Sequence, residues 1–142
     1  MSPSRGPGIS TVTAHLRRAV GNADWQFLGE ALHPQVHWAA PRPGARACRG
    51  RSRVLSRCAR LHTRLSGVTV EETFMYPGAI VLGLWLHLGT STPDSDGLGC
   101  QVSDALVYQV LDVVDGLVVR ITGYTDRAQA LTAAYDGPAA TF

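Results

Sequence analysis

The clearest hydrophobic pattern of the chain lies near its C-terminus, in the sequence VYQVLDVVDGLVVRITGYTDRAQAL of residues 107–131. Two apolar runs flank Val114-Asp115-Gly116, and an aspartate-glycine pair between such runs is typical of a β-hairpin. Thr125-Asp126 then marks a turn and the start of a helix. The stretch predicts two antiparallel strands that lead directly into a terminal helix.

Upstream of the hairpin, apolar residues follow helical spacing in some stretches and strand spacing in others. Helical spacing predicts helices from Ser10 or Thr11 to about Val20, from near Asp24 to the stop at His33-Pro34, and from about Ser52 to Leu65. Strand spacing predicts strands at Gln35–Ala40, Val68–Met75 and Ala79–Thr90.

The predicted order of elements is α-α-β-α-β-β-β-β-α, with helices gathered at the front and an antiparallel meander at the back. This order is typical of an α+β fold. We therefore expect a curved antiparallel sheet wrapped on three helices, which gives a cone-shaped α+β barrel with an interior pocket. The mouth of such a cone is a common place for a small-molecule site.

Length and charge narrow the class of protein. A chain of 142 residues fits one domain, which we place at residues 11–135 between loose tails at residues 1–10 and 136–142. The net charge of +2 is too small to indicate a nucleic-acid partner by itself. The N-terminus has no apolar signal segment, and no apolar run approaches the roughly 20 residues of a membrane span. We expect a cytoplasmic protein that binds neither nucleic acid nor membrane.

The cysteine and histidine spacings match no metal-site pattern. Cys48, Cys58 and Cys100 contain no CxxC pair, and the chain has neither HExxH nor a glycine-rich phosphate loop. We therefore expect no metal or nucleotide cofactor. Cys58 lies on the apolar side of the third predicted helix, where a reduced, buried thiol is the simplest interpretation.

All 13 basic residues are arginine, and eight of them fall between Arg42 and Arg64. No Asp or Glu occurs between Glu30 and Glu71. A solvated helix face with its loop explains this run. A surface for an anionic partner also explains it, such as an acidic acyl carrier protein or a phosphorylated or carboxylated substrate. Aromatic residues do not interleave with the arginines, which argues against a polynucleotide.

Three polar residues on the predicted strands are candidates for chemistry in the interior. His87 follows Trp85 by two residues, so both project from one strand face, where an imidazole can bind or protonate a carbonyl. Asp104 could act as an acid or base in an apolar cavity. Gln109 could orient a carbonyl or hydroxyl. Asp104 and Gln109 have opposite parity, so both face inward only if a bulge intervenes, and each candidate also fits a structural role.

Both faces of the first hairpin strand are apolar. Val107, Leu111 and Val113 lie on one face, and Leu106, Tyr108 and Val110 lie on the other. One face must cover the helices and the pocket, and the other needs a partner. The pattern therefore predicts a homodimer formed through the outer face of the sheet.

Three motifs resemble those of the SnoaL-like polyketide cyclases: LHPQVHW at 32–38, CRGRSRV at 48–54 and VVDGLVVRITGYTDRAQAL at 113–131. With the order of elements, the resemblance covers about residues 11–135. These cyclases belong to the nuclear transport factor 2-like superfamily, together with ketosteroid isomerase and limonene epoxide hydrolase. The resemblance implies the cone fold and a pocket for a hydrophobic small molecule. It does not imply one reaction, because this fold hosts isomerases, cyclases, hydrolases and binding proteins.

The resemblance also assigns site positions. The isomerase's catalytic base falls at Ala40 and its helix-one tyrosine at Leu16, while the cyclase's acid/base aspartate falls at Gly123 and its companion polar residue at or beside Gln109. Alanine and glycine cannot transfer a proton, so neither mechanism transfers as written. We expect His87, Asp104 and Gln109 as catalytic candidates, and we expect the substrate to contact Trp38, Ala40, Leu16, Cys58, Met75, Tyr76, Trp85, Val107, Ile121 and Gly123.

The function implied is a cyclase or isomerase that tailors a polyketide-type intermediate in natural-product biosynthesis. Without the acid/base residues it would act by shaping the substrate for ring closure, including pericyclic closure. The alternative is a non-catalytic small-molecule-binding protein on the same fold. An epoxide hydrolase ranks last, because the sequence does not place two inward carboxylates around a water.

Overall fold

The computed structural model describes residues 8–39, 47–88 and 104–136. Within these ranges the chain forms four helices and six strands. The helices are α1 (Ile9–Gly21), α2 (Trp25–Gly29), α3 (Arg51–His62) and α4 (Arg127–Asp136). The strands are β1 (Leu32–Trp38), β2 (Cys48–Arg49), β3 (Leu65–Tyr76), β4 (Ala79–Leu88), β5 (Ala105–Val114) and β6 (Leu117–Tyr124). The α+β class predicted from the sequence is confirmed, with the short β2 as an added strand.

The strands form one sheet in the order β2-β1-β6-β5-β4-β3. Strands β3 to β6 make the expected antiparallel meander. Strand β1, however, pairs with β6 in parallel, so the sheet is mixed and not antiparallel throughout. A parallel pair needs a long crossover between its strands, and here β2, α3 and β3 to β5 separate β1 from β6 in the chain. Among the described residues the sheet is not closed, so the cone is open and not a complete barrel.

Helix α2 is shorter than its apolar spacing predicts. It begins as expected, because the Asp24 Oδ1 accepts a hydrogen bond of 3.1 Å from the Phe27 N–H and caps the first turn. It ends at Gly29, and Leu32, which the apolar spacing places within the predicted helix, already opens β1. The Val118 N–H donates to the Ala31 carbonyl at 2.8 Å. Pairing with β6 therefore takes over a stretch whose spacing alone favours a helix.

The turn between β5 and β6 uses two residues with left-handed backbone. Asp115 has φ of 53° and Gly116 has φ of 82°. This combination is that of a type I′ turn, whose twist matches a hairpin.

We expect Gly116→Val to lower the free energy of unfolding by about 1–2 kcal/mol, because a β-branched side chain clashes in this conformation. Urea unfolding measures the loss. Gly78→Val is the control, because Gly78 lies in the β3–β4 turn without a positive φ, and an equal loss there would contradict the explanation.

Two hydrophobic cores lie on opposite faces of the sheet. On the concave face, α1 to α3 pack on a core whose fully buried members include Leu16, Leu32, Val36, Val54 and Leu82. On the outer face, α4 packs on β4 and β5 through Ala79, Val81, Tyr108, Val110, Ala130 and Ala134. Helix α4 of the same chain therefore covers much of the apolar face for which the sequence suggests a second copy. The homodimer stays a prediction.

Parts of the predicted organisation lie outside the described residues. They include the tails at residues 1–7 and 137–142, the polar loop within residues 89–103, and Ala40, Arg42, Arg46 and Cys100. Among the described residues, the first helix begins at Ile9 and the last helix ends at Asp136. None of the described helices is long and apolar enough to cross a membrane.

Candidate functional site

A cavity of about 350 Å³ lies between the concave face of the sheet and helices α2 and α3. Alternate residues of a strand share a face, as do directly paired residues of neighbouring strands. The sheet therefore contributes Leu82, Leu84 and Leu86 from β4 and Val107, Gln109 and Leu111 from β5. The helices contribute Trp25, Leu28, Cys58 and Leu61. The volume falls at the lower end of the roughly 300–1,000 Å³ of ligand pockets, and the lining is mostly apolar.

Gln109 places an amide group on the cavity wall. It pairs with Leu82 on one side and with Gly123 on the other. Its Oε1 is buried and has no hydrogen-bond partner among the described residues. A Cβ atom added to Gly123 would lie 3.6 Å from the Gln109 Nε2 and 3.7 Å from its Oε1. Gln109 lines the cavity, and its buried oxygen without a partner costs about 1–3 kcal/mol.

Trp38, Cys58 and Ile121 complete the walls. The Arg57 guanidinium carbon lies 4.6 Å from the ring centroid of Trp38, within the range of a cation–π contact that holds the indole in place. Burial raises the pKa of the Cys58 thiol to about 12, with the nearby Arg57 opposing the shift. Since the thiolate is the reactive form, Cys58 is an inert wall residue at neutral pH and not a nucleophile.

Basic groups lie at the outer rim of the cavity. His62 and Arg64 both line it, and Arg64 is exposed to solvent. The His62 ring meets Trp25 edge-on, with 5.7 Å between centroids. The described lining residues include no Asp or Glu. The cavity therefore combines an apolar body, an inner amide and a positively charged rim.

Trp85, His87 and Asp104 do not line the cavity, in contrast to the interior role considered for them from the sequence. Leu84 and Leu86 face the cavity, so the strand alternation turns Trp85 and His87 to the outer face. There the His87 Nδ1 lies 3.6 Å from the Asp104 Oδ2, and the Trp85 Nε1–H donates to the same oxygen at 3.1 Å. The side chains of His87 and Asp104 are 39% and 40% exposed. These residues form a polar cluster at the surface, separated from the cavity by the sheet.

Three predicted contact residues also lie away from the cavity lining. Leu16 is fully buried in the core beneath it. Tyr76 packs with the outer core, edge-on to Tyr135 at 6.5 Å between centroids. Met75 is 52% exposed near the end of β3. A register shift between Val70 and Glu72 turns Tyr76 to the outer face, opposite Ala79, whereas Met75 lies opposite Ile80.

No sequence pattern indicates the rim residues His62 and Arg64 or the leucines of β4. Arg64 belongs to the arginine run in sequence, but it lies one residue before β3 and not in α3. Leu82, Leu84 and Leu86 alternate with Val81, Trp85 and His87, and both sets contain apolar residues. Leu82 pairs directly with Gln109 on the neighbouring strand. Because directly paired residues share a face, an inward Gln109 means that Leu82, and with it Leu84 and Leu86, also faces inward.

Three arginines of α3 line a second concavity. It measures about 400 Å³ and is lined by Ala47, Cys48, Ser52, Arg53, Ser56, Arg57 and Arg60. Its described lining contains no acidic residue. The position of Arg57 between this concavity and Trp38 puts the basic surface directly behind one wall of the cavity.

Asp112 is a buried carboxyl on β5 that does not line the cavity; it is 9% exposed and pairs across the strands with Arg120. Burial raises its pKa above the ordinary 3.8, although Arg120 opposes the shift. The protonated form is therefore favoured on folding, and this stabilisation is lost as the pH rises through the folded-state pKa.

We expect Asp112→Asn to be more stable than wild type at pH 7 and to show little difference below pH 3.8. Urea unfolding across this pH range tests it, and exposed Asp136→Asn is the control. A pH-independent difference would contradict the burial explanation.

Comparison with known proteins identifies the fold and goes no further. No family model matches the chain, and no curated protein matches it. Among solved structures, an NTF2-like protein of unknown function from Mesorhizobium loti has a TM-score of 0.65 at 14% identity, covering 89% of this chain and 97% of its own. A candidate ketosteroid isomerase from Kribbella flavida has a TM-score of 0.60 at 18% identity, with 82% and 76% covered.

TerC, co-crystallised with polyporic acid, has a TM-score of 0.59 at 14% identity, covering 87% of this chain and 95% of its own. At these identities the likeness concerns the fold. The chain has the cone-like α+β fold of NTF2-like and ketosteroid isomerase-like proteins, as the resemblance implied, and its concave face encloses the cavity.

Proposed function

We propose that this protein is a cyclase or isomerase that tailors a polyketide-type intermediate, and that it acts mainly by holding the substrate in its reactive shape. The observation that carries the proposal is the apolar cavity of about 350 Å³ with one inner amide and basic groups at its rim. The described lining holds no carboxylate, and its thiol stays protonated at neutral pH. What such a site offers a flexible chain is orientation, which is worth several kcal/mol to a ring closure.

Each part of the cavity has a place in this mechanism. The leucines of β4 and the indoles of Trp25 and Trp38 exclude water and restrict the conformations of the bound chain. The Gln109 amide orients a carbonyl or hydroxyl without titrating. Catalysis by His87 and Asp104 stays a prediction from the sequence, and the mechanism does not use them because they lie outside the cavity. TerC supports the proposal in one respect, since a protein of this fold was crystallised with a small organic acid.

A synthetic linear tetraketide N-acetylcysteamine thioester tests the proposal. The purified protein is expected to accelerate its ring closure over the protein-free rate, as measured by liquid chromatography with mass detection. Gln109→Met should retain most of the acceleration, because shape supplies it. Binding of the thioester, measured by calorimetry, with no change in the rate of closure would favour the alternative, a binding protein on this fold.

The proposal also covers the partner protein, the cellular location and the oligomeric state. The arginines between Arg42 and Arg64 receive an acidic carrier protein that delivers the intermediate, and the basic concavity at α3 supports this role. The protein works in the cytoplasm. It forms a homodimer through the part of the outer sheet face that α4 leaves uncovered. Sedimentation at micromolar concentration tests the last point, and a monomer would rule it out.

A further inference from the structure

The polar groups of the cavity lining differ in burial, and the rest of the lining is apolar. At the inner end, the Gln109 Oε1 is buried without a hydrogen-bond partner among the described residues. At the outer end, His62 and Arg64 line the rim. A ligand that fills the cavity must therefore meet two different chemical requirements along its length.

The inner end requires a hydrogen-bond donor. An amide oxygen accepts hydrogen bonds and cannot donate one. A buried acceptor without a partner is unfavourable, so a ligand that donates to it gains more than the same group would gain in water. Position 123 carries no side chain, and a Cβ atom there would lie 3.7 Å from the Gln109 Oε1. Because the Gln109 side chain lines the cavity, a rotation of its amide would bring this oxygen to a ligand hydroxyl.

The outer end favours a negative charge. Arg64 is exposed at the rim, and the described lining residues include no Asp or Glu that would neutralise it. An anion at the rim keeps part of its hydration, so the attraction is modest and depends on salt. It nevertheless sets the direction in which an elongated ligand enters.

We propose that the cavity takes an amphiphilic hydroxy acid, with an apolar body, a hydroxyl bound to Gln109 at the inner end and a carboxylate at Arg64 at the rim. This inference rests on the proposed function, because it names the substrate class of the same cavity. It places the carboxyl end of the substrate outermost.

Three naphthalene probes test the two ends separately by calorimetry: 6-hydroxy-2-naphthoic acid, 2-naphthoic acid and 2-naphthol. The hydroxy acid is expected to bind about tenfold more tightly than 2-naphthoic acid, the usual value of one buried hydrogen bond. Gln109→Met should remove this difference. The hydroxy acid should also bind roughly two- to fivefold more tightly than 2-naphthol at low salt. Arg64→Gln should remove that difference, and Arg60→Gln is the matched control, since Arg60 does not line the cavity.

Equal affinities of the two acids for the wild-type protein would overturn the inference. The inference would also be overturned if Gln109→Met kept the preference for the hydroxyl, or if Arg64→Gln kept the preference for the carboxylate. Absence of binding by all three probes would overturn it as well. Thermal unfolding shows that each variant is folded. The proposed function is judged separately, by ring closure of the tetraketide thioester. Loss of the probe preferences with closure retained would remove the substrate class and leave the function.

Discussion

Replacing Leu84 with tryptophan is expected to lower the affinity for 2-naphthoic acid about a hundredfold and to abolish accelerated ring closure. Leu84 lies in the middle of β4 and projects into the cavity between Val70 and Val107. The larger indole occupies space that the ligand needs. A ligand that buries roughly 100 Å² less apolar surface loses about 2.5 kcal/mol, which corresponds to about a hundredfold in affinity.

The fold itself is expected to tolerate Leu84→Trp. Overpacking costs about 1–3 kcal/mol in a filled core, but here the new side chain enters an existing cavity. Thr69→Trp is the matched control, because Thr69 is exposed on the outer face of the neighbouring strand. Calorimetry and thermal unfolding measure both variants. Normal binding by Leu84→Trp, or an equal loss in Thr69→Trp, would show that the ligand binds elsewhere.

The hairpin shows why much of the fold could be predicted from the sequence. The aspartate and glycine at 115 and 116 have the left-handed backbone that a tight turn needs, and the apolar runs on either side are long enough for two strands. These are local signals. The parallel pairing of β1 with β6 is not local, because it depends on where the chain returns after α3. For the same reason Leu32, at helical spacing from Leu28, belongs to a strand.

The site was harder to predict because β4 is apolar on both faces. Alternation correctly places Trp85 and His87 together, but it does not say which face is the concave one. Helix α4 packs on the outer face of the sheet, so both faces of β4 and β5 are buried. Hydrophobicity therefore does not distinguish the concave face from the outer face. Gln109 is the residue whose placement from the family resemblance agrees with the cavity lining. The rim depends on the exact end of α3, which spacing alone leaves uncertain by a few residues.

Gly123→Asp is expected to make the stability of the protein strongly dependent on pH. Position 123 faces the Gln109 amide, and an added Cβ atom meets it at ordinary contact distances of 3.6 to 3.9 Å. A neutral carboxyl there can donate to the unpaired Gln109 Oε1, whereas an ionised one is exposed to apolar walls. Both effects raise the pKa of the new carboxyl above its ordinary value of about 3.9.

The sign of the pH dependence follows from this raised pKa. The favourable state is the protonated one, so its stabilisation is present below about pH 3.9 and is lost as the pH rises through the folded-state pKa. For a shift of about two pKa units, the free energy of unfolding of Gly123→Asp should be about 2 kcal/mol lower at pH 8 than at pH 4, relative to Gly123→Asn. Urea unfolding of the two variants between pH 4 and pH 8 measures it. A difference that does not change with pH would mean that water hydrates the position.

The same pair of variants separates shape from proton transfer in the chemistry. If the wild-type cavity acts through shape, its acceleration of thioester closure should vary little with pH beyond the protein-free reaction. Gly123→Asp adds an ionisable group beside the amide that orients the substrate, so its rate should acquire a titration at the raised pKa. Gly123→Asn adds similar volume without a proton and should remain flat. A titration already present in the wild type would instead mean that an ionisable group of the native chain transfers a proton.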